Sequence, residues 1–163
     1  MNLLDIKLSE EDFYISNNLD STNSSYIYGE VYGKSIFKIL EDFNLDNKTM
    51  IDIGSGFGKL VIYLAIKYNM MIDGVEIDQD RYDKSINLLE KIPDEYGIYN
   101  NIYFYNEDFR DIYLGNYDIL YCCNLVFSKK DNNDLYKKII NEFSGYFFLF
   151  SYSKIMRKYF KKL

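Results

Sequence analysis

The segment that most constrains how this chain folds is "DIGSGFG", residues 52–58, which joins an apolar strand pattern to an apolar helical pattern. Residues 49–53 predict a buried strand, and residues 59–69 carry apolar side chains at helical spacing. The glycines permit a tight turn and let a ligand approach the backbone and the start of the helix. They are Gly54, Gly56 and Gly58. The order strand, glycine-rich loop, helix predicts a ligand site at the carboxyl end of the strand.

The rest of the chain continues the alternation of strands and helices. Further helices are predicted at residues 79–92 and 129–143, and further strands at residues 71–77, 101–105, 117–123 and 145–151. Continuously apolar strands separated by helices predict an α/β fold: a doubly wound, mostly parallel sheet of about five strands with helices on both faces. Such a Rossmann-like sheet binds ligands where its strands end, beside the point at which the strand order reverses.

Apolar spacing also predicts which helix faces point into the core. The expected inward residues of the two later helices are Tyr82, Ile86, Leu89 and Ile92, and Leu135, Ile139, Ile140 and Phe143. The 163 residues suit a single domain, 1–163. We divide it into a short N-terminal helix and loop (1–26), a catalytic core (27–152) and a basic tail (153–163).

Composition excludes several kinds of chemistry. The chain has no histidine, and its two cysteines, Cys122 and Cys123, are adjacent, so we expect no disulfide framework and no metal site. The N-terminus lacks the features of a signal peptide, and no apolar stretch is long enough to span a membrane, which predicts an intracellular protein. The 18 tyrosines are attributed to compositional bias and are not taken as a sign of base stacking.

The glycine spacing is G-x-G-x-G, which differs from the dinucleotide fingerprint and from the P-loop. It resembles the first motif of class I S-adenosylmethionine-dependent methyltransferases. The resemblance implies S-adenosyl-L-methionine as cofactor, with Asp52 near its methionine part and Ser55 and Lys59 along the same loop. Glu76 ends the next apolar strand, 22 residues after Gly54, where a carboxylate accepts both ribose hydroxyls. In the same family the segment after the third strand binds adenine, which implies contacts from Asp108 and Phe109.

A narrower resemblance adds the segments "YGEV" and "NLVF" to these motifs. Together they resemble the non-SET histone-lysine methyltransferases of the disruptor-of-telomeric-silencing type, over roughly residues 27–154. The resemblance implies that the first segment closes over the amino-acid end of the cofactor. Its residues are Tyr28, Gly29, Glu30 and Val31. It also implies methyl transfer to a lysine amine of a histone or nucleosome.

The segment after the fourth strand departs from that family. The family has Asn-Asn-Phe-x-Phe, whereas this chain has Cys123 in place of the first amide, followed by Asn124 and then Phe127. We predict that Asn124 orients the amine or the cofactor and that Phe127 walls the substrate channel; a plain turn role for Asn124 stays open. The final two strands of the family, and its C-terminal channel aromatic, are expected to be missing.

Two other functions stay open. The Asn-x-x-Phe spacing also resembles amino-methyltransferases that act on a nucleic-acid base or on glutamine, although the prolines of their motif are missing. The loss of the family's amide is also compatible with a catalytically inactive scaffold subunit that binds the cofactor.

Partners are predicted from the C-terminal part of the chain. The tail carries five basic residues and no acid, on a chain of net charge −6, and could contact DNA phosphates or an acidic nucleosome face. They are Lys154, Arg157, Lys158, Lys161 and Lys162. The fifth strand is apolar and is expected at the edge of the sheet, where an uncovered strand tends to aggregate. We therefore expect the tail or a second chain, as in a homo-oligomer, to cover it. Localisation follows the substrate: nuclear for a histone, otherwise cytoplasmic, with no membrane partner.

Overall fold

A five-stranded sheet forms the centre of the structure, a computed structural model that describes residue 45 and residues 47–68 and 70–150. All four strand pairs are parallel, and the strand order is β3-β2-β1-β4-β5. The strands are β1 (Thr49–Ile53), β2 (Met71–Val75), β3 (Ile102–Tyr105), β4 (Ile119–Cys123) and β5 (Tyr146–Phe150). The predicted parallel α/β fold is confirmed, and its order reverses between β1 and β4, where a ligand crevice is expected.

Three α-helices cover this sheet in the described part of the chain, and they are α1 (Lys59–Tyr68), α2 (Gln79–Glu90) and α3 (Lys129–Glu142). Side chains of the strands alternate between two apolar clusters, as the pleat requires. One cluster joins Met50 and Ile72 to α1 and α2, and the other joins Ile51 and Leu120 to α3. The helices therefore lie on both faces, as predicted.

The connection from β3 to β4 contains no α-helix within the described residues. Two 3-10 turns, Phe109–Asp111 and Leu114–Asn116, stand in that place, and α3 packs against both. The consequence is that α3 contacts the segment that leaves β3 as well as the strands beneath it.

The predicted inward face of α3 is partly wrong. Ile140 is 53% exposed, whereas Leu135 and Ile139 are buried as predicted. The helix also buries Asn132 and Tyr136. Its core face is rotated towards these two side chains because they meet the end of β4.

On α2 the buried centre of the helix is formed by Ser85 and Leu88, and the predicted residues Tyr82, Ile86 and Leu89 flank it as half-buried side chains. Ser85 packs close to Gly58, where an added Cβ would lie 2.9 Å from the Cβ of Ser85.

Several predictions fall outside the described residues. They include the N-terminal helix and loop (1–26), the segment containing Tyr28, Gly29, Glu30 and Val31, and the basic tail. Within the described part, no helix is long and apolar enough to cross a membrane. The same residues contain no cluster of side chains suited to hold a metal ion.

Candidate functional site

A pocket opens at the carboxyl edge of the sheet, where β1, β2, β3 and β4 end. The edge lies beside the reversal of strand order, so the fold alone places a ligand crevice there. The predicted site residues that line this pocket are Gly54, Gly56, Glu76, Asp108, Phe109, Cys123 and Phe127. They come from four separate loops, and the parallel register of the sheet brings them together.

The glycine loop forms the floor of the pocket. Gly54 and Gly56 have φ angles of 77° and 57°, in the left-handed region that favours glycine. The amides of Gly54 and Ser55 both donate to the carbonyl oxygen of Val75, at 2.8 and 3.0 Å, so the loop is fastened to the end of β2. A Cβ on Gly54 would meet the ring of Phe127 at 3.5 Å. Gly54 and Phe127 thus face each other across the pocket, and a side chain at position 54 would occupy the space between them.

The third glycine of the motif serves packing. A Cβ on Gly58, whose φ is 72°, would lie 2.4 Å from Cζ of Phe104. Gly74 on β2 is covered by the same ring, and its own Cβ would lie 2.6 Å from it. Gly58 is not among the described residues that line the pocket, and neither are Ser55 and Lys59. Contact of these three residues with the cofactor stays a prediction.

Glu76 links the glycine loop to the end of β2. Its carboxylate is buried and accepts hydrogen bonds from the amides of Gly56 and Asp78, each at 2.9 Å. Each carboxylate oxygen keeps a further lone pair, and the side chain lines the pocket. Glu76 is therefore fixed in position and able to accept two hydroxyl groups.

Asp52 lies beneath the loop, on the strand itself. It is 3% exposed, and its Oδ1 has no hydrogen-bond partner among the described residues. Burial, helped by the nearby carboxylate of Glu76, raises the pKa of Asp52 to about 8. A buried oxygen without a hydrogen-bond partner is rare in folded proteins, and it marks a place where a donor on a ligand would fit.

Asp108 and Phe109 follow β3 and form the opposite wall. Asp108 caps the 3-10 turn by accepting from the amide of Arg110 at 2.9 Å, and its carboxylate also pairs with the guanidinium of Arg110. The rings of Phe109 and Phe127 are stacked, with centroids 5.9 Å apart. The loop after β3 and the loop after β4 are joined across the pocket by this aromatic pair.

At the end of β4, Cys123 and Asn124 face different surroundings. Cys123 is half-buried and lines the pocket, and burial raises the pKa of its thiol, which stays neutral. Asn124 is buried and donates to Asn132 and to the hydroxyl of Tyr136, the latter at 3.1 Å. Its backbone carbonyl accepts from the amide of Phe127. Asn124 therefore forms a turn, the role that the sequence left open as an alternative, and anchors it to α3. It is not among the described residues that line the pocket, and its Oδ1 is buried without a hydrogen-bond partner in the described part of the chain. The predicted role of Asn124 in orienting the amine or the cofactor stays a prediction.

The sequence interpretation missed Arg110 and its two partners on α3, Asp131 and Asp134. Arg81, Arg110 and Asp131 also line the pocket. Asp131 was identifiable, since "SKKD" is a helix-capping pattern, and the structure contains the reciprocal Ser128–Asp131 capping box. Arg110 gave no such signal, because two of its three acidic partners, Asp131 and Asp134, lie more than 20 residues away along the chain.

The fold and this pocket together define a class I S-adenosylmethionine-dependent methyltransferase. Its marks are the parallel sheet of this order, the glycine loop after β1, the buried acid after β2 and the acid–aromatic pair after β3. A family model described as histone methylation protein DOT1 matches residues 16–146. The match covers most of the chain, and the protein belongs to that family.

Solved structures show the same fold at low sequence identity. An RNA methyltransferase from Salinibacter ruber, in complex with S-adenosyl-L-homocysteine, is 21% identical with a TM-score of 0.55, over 68% of this chain and 71% of that one. A putative S-adenosyl-L-methionine-dependent methyltransferase from Methanococcus maripaludis is 20% identical with a TM-score of 0.61, over 74% of this chain.

The magnesium protoporphyrin IX methyltransferase from Synechocystis, with bound S-adenosylhomocysteine, is 18% identical with a TM-score of 0.54, over 72% of this chain. The present chain spans 55% of the Methanococcus chain and 59% of the Synechocystis chain. A search of curated proteins gave no match.

The residues of the pocket fit S-adenosyl-L-methionine, the cofactor of this class. Glu76 offers free lone pairs that would suit the ribose hydroxyls, and Asp108 and Phe109 are a carboxylate and a ring that would suit adenine. Gly54 and Phe127 face each other across the pocket. Asp52 lies buried beneath the glycine loop with one unpartnered oxygen, and it is not among the described residues that line the pocket.

Proposed function

We propose that this protein binds S-adenosyl-L-methionine in the pocket and transfers its methyl group to a lysine amine of a histone or nucleosome. The observation that carries the proposal is the convergence of the glycine loop, Glu76, the Asp108–Phe109 pair and the β4 loop on one pocket. Membership of the histone methylation family supports the choice of a histone as substrate.

The cofactor supplies an already activated methyl group, so the protein's task is to orient the reactants and exclude water. An attacking lysine amine must first lose its proton. Cys123, Val126 and Phe127 form a neutral, largely apolar wall after β4. Burial against such a wall disfavours the ammonium form and lowers the pKa of the amine towards neutrality.

The charges around the pocket support a cationic substrate. Two arginines, Arg81 and Arg110, line it together with four carboxylates: Glu76, Glu107, Asp108 and Asp131. An acidic pocket attracts a basic peptide segment and repels the phosphates of a nucleic acid. The net negative charge of the pocket lining is compatible with a histone lysine as the substrate.

The same geometry gives Asn124 a supporting role. Because its side-chain nitrogen is engaged by Asn132 and Tyr136, it holds the β4 loop against α3. Cys123 then occupies the wall position that the family gives to an amide. We propose that its neutral thiol contributes packing to the channel, and that replacing it by asparagine raises the rate of lysine methylation.

Tritium transfer from labelled cofactor tests the proposal directly. Nucleosomes, free core histones, DNA and RNA are offered side by side to wild type, to Glu76→Gln and to Glu95→Gln, a matched change on an exposed turn. We expect label on histone lysines with wild type and Glu95→Gln, and at least a tenfold loss with Glu76→Gln, about the effect of one hydrogen bond to a charged group.

Two results would overturn the histone assignment. Label in DNA or RNA would identify a base methyltransferase. Cofactor binding without label in any substrate would identify a scaffold subunit.

A further inference from the structure

Arg110 is held by three carboxylates beside the pocket. Its Nη1 donates to both oxygens of Asp108, at 3.0 and 2.8 Å, and its Nη2 pairs with Asp131. Its Nε donates to Asp134 at 3.1 Å. These hydrogen bonds raise the pKa of Arg110 against the opposing effect of burial. The pKa of Asp131 is lowered, against burial, by its hydrogen bonds with Ser128 and then with Arg110. The guanidinium thus joins the segment after β3 to the first turns of α3.

The same guanidinium covers an aromatic ring of the site. Its Cζ lies 4.7 Å from the centroid of Phe109, within the range of a cation–π contact. Phe109 in turn is stacked against Phe127. Arg110 therefore contacts both side chains that the site offers to adenine, Asp108 and Phe109.

Further contacts along α3 hold the same segment. Lys138 donates to the carbonyl oxygen of Arg110 at 3.0 Å and pairs with Glu142 at 2.9 Å. Glu142 also accepts from the amide of Leu114 at 3.1 Å. Asp131, Asp134, Lys138 and Glu142 follow one another at intervals of one helical turn, so they form a single stripe on α3. This stripe secures the β3–β4 connection, which has no α-helix of its own in the described residues.

We propose that Arg110 is the positioning residue of the adenine subsite. It orients the carboxylate of Asp108 so that the carboxylate can accept a hydrogen bond from the exocyclic amine of adenine. It also holds the ring of Phe109 in its stacked position against Phe127. Without it, Asp108 would face Asp131 and Asp134, and mutual repulsion would turn its carboxylate away. The inference rests on the proposed function, because it assumes that the cofactor occupies this pocket.

If Arg110 positions Asp108, it should control how strongly the site prefers a ligand with the adenine amine to one without it. The test compares two ligands by calorimetry: S-adenosyl-L-homocysteine and its inosine analogue, in which a carbonyl oxygen replaces the amine. Wild type is expected to prefer the amine at least tenfold, about the effect of one hydrogen bond to a carboxylate. Arg110→Met should weaken binding of the adenine ligand and bring the ratio close to one. Arg110→Lys should restore part of the preference.

A second variant acts from outside the pocket. Asp134 holds Arg110 but is not among the described pocket residues, so Asp134→Asn should reduce the ratio part of the way. Glu95→Gln removes an equal charge from a distant, exposed turn and should leave the ratio unchanged. Thermal unfolding of every sample separates loss of fold from loss of discrimination.

Three outcomes decide the matter. Full discrimination in Arg110→Met, with or without a lower Tm, would overturn the positioning role. If Arg110→Met does not fold, an unchanged ratio in folded Asp134→Asn would overturn it instead. Failure of wild type to bind either ligand would overturn the proposed function itself, which is a different result from bound ligand without the predicted change of ratio.

Discussion

Asn124 is a buried amide whose side-chain nitrogen is used entirely within the fold. It donates to Asn132 and to the hydroxyl of Tyr136, and Asn132 donates onward to the carbonyl oxygens of Phe127 and Ser128. Removing the amide would take one hydrogen-bond donor from Oδ1 of Asn132 and from the hydroxyl of Tyr136, both in the interior. The residue therefore supports the site by fixing the loop that carries Phe127.

Replacing Asn124 by alanine should lower the free energy of unfolding by about 1–3 kcal/mol, because buried hydrogen-bonding groups are left unsatisfied. Urea denaturation measures this loss. Cys123→Ala, one residue away but at the pocket wall, is expected to cost less. A normal stability of Asn124→Ala combined with a large loss of turnover would show instead that the amide acts on the substrate.

Asp52 should make the free energy of unfolding of the protein depend on pH. Its pKa in the fold is about 8, against an ordinary value of 3.8, so the folded state binds the proton more tightly than the unfolded chain. The stabilising contribution is complete below pH 3.8 and is lost as the pH rises through about 8.

Between pH 5 and 8 we therefore expect wild type to lose up to about 1.4 kcal/mol per pH unit relative to Asp52→Asn. Urea denaturation across that range measures the difference, and Glu90→Gln on an exposed face of α2 serves as control. Parallel pH profiles of wild type and Asp52→Asn would refute the buried, protonated state.

At the scale of elements, the glycine loop contributes to the packing of the core as well as to the lining of the pocket. Gly58 lies under the ring of Phe104, and Gly74 of β2 lies under the same ring. The loop, α1 and β3 therefore meet at a place where a Cβ does not fit. Gly97 gives a useful comparison, because it has a similar φ of 63° but open space around it.

Gly58→Ala should destabilise the fold by clearly more than Gly97→Ala, although both place alanine in the left-handed region. The Gly97 variant should cost about 1–2 kcal/mol from backbone strain alone, and the Gly58 variant adds a clash with Phe104. Thermal unfolding of the two variants measures the difference. Equal losses would mean that Phe104 moves aside without cost.

The elements were largely predictable, whereas the contacts between them were not. The strands β1 and β5 and the start of α1 follow from local apolar runs and from glycines, which act within a few residues of their own positions. The direction of the Asn124 side chain and the burial of Tyr136 depend on how α3 turns against β4. The contacts of Arg110 with Asp131 and Asp134 likewise join residues that are close only after folding.

At the scale of the whole molecule, charge is divided between an acidic chain and a basic C-terminal tail. The tail lies outside the described residues, and its contact with DNA is a proposal. Deleting residues 154–163 should weaken binding to nucleosomal DNA and flatten its salt dependence, since each lost phosphate contact removes about 0.9 from the slope of log K against log salt. Lys137→Gln, on α3, is the control. Identical slopes with and without the tail would contradict this role.

Cofactor binding by the purified chain tests the central claim most directly. Titration with S-adenosyl-L-methionine in a calorimeter should show saturable binding to a single site. Glu76→Gln should weaken this binding at least tenfold, and Glu95→Gln should leave it unchanged. A wild-type protein that folds but binds no cofactor at millimolar concentration, or one that binds it equally well without the Glu76 carboxylate, would contradict the account.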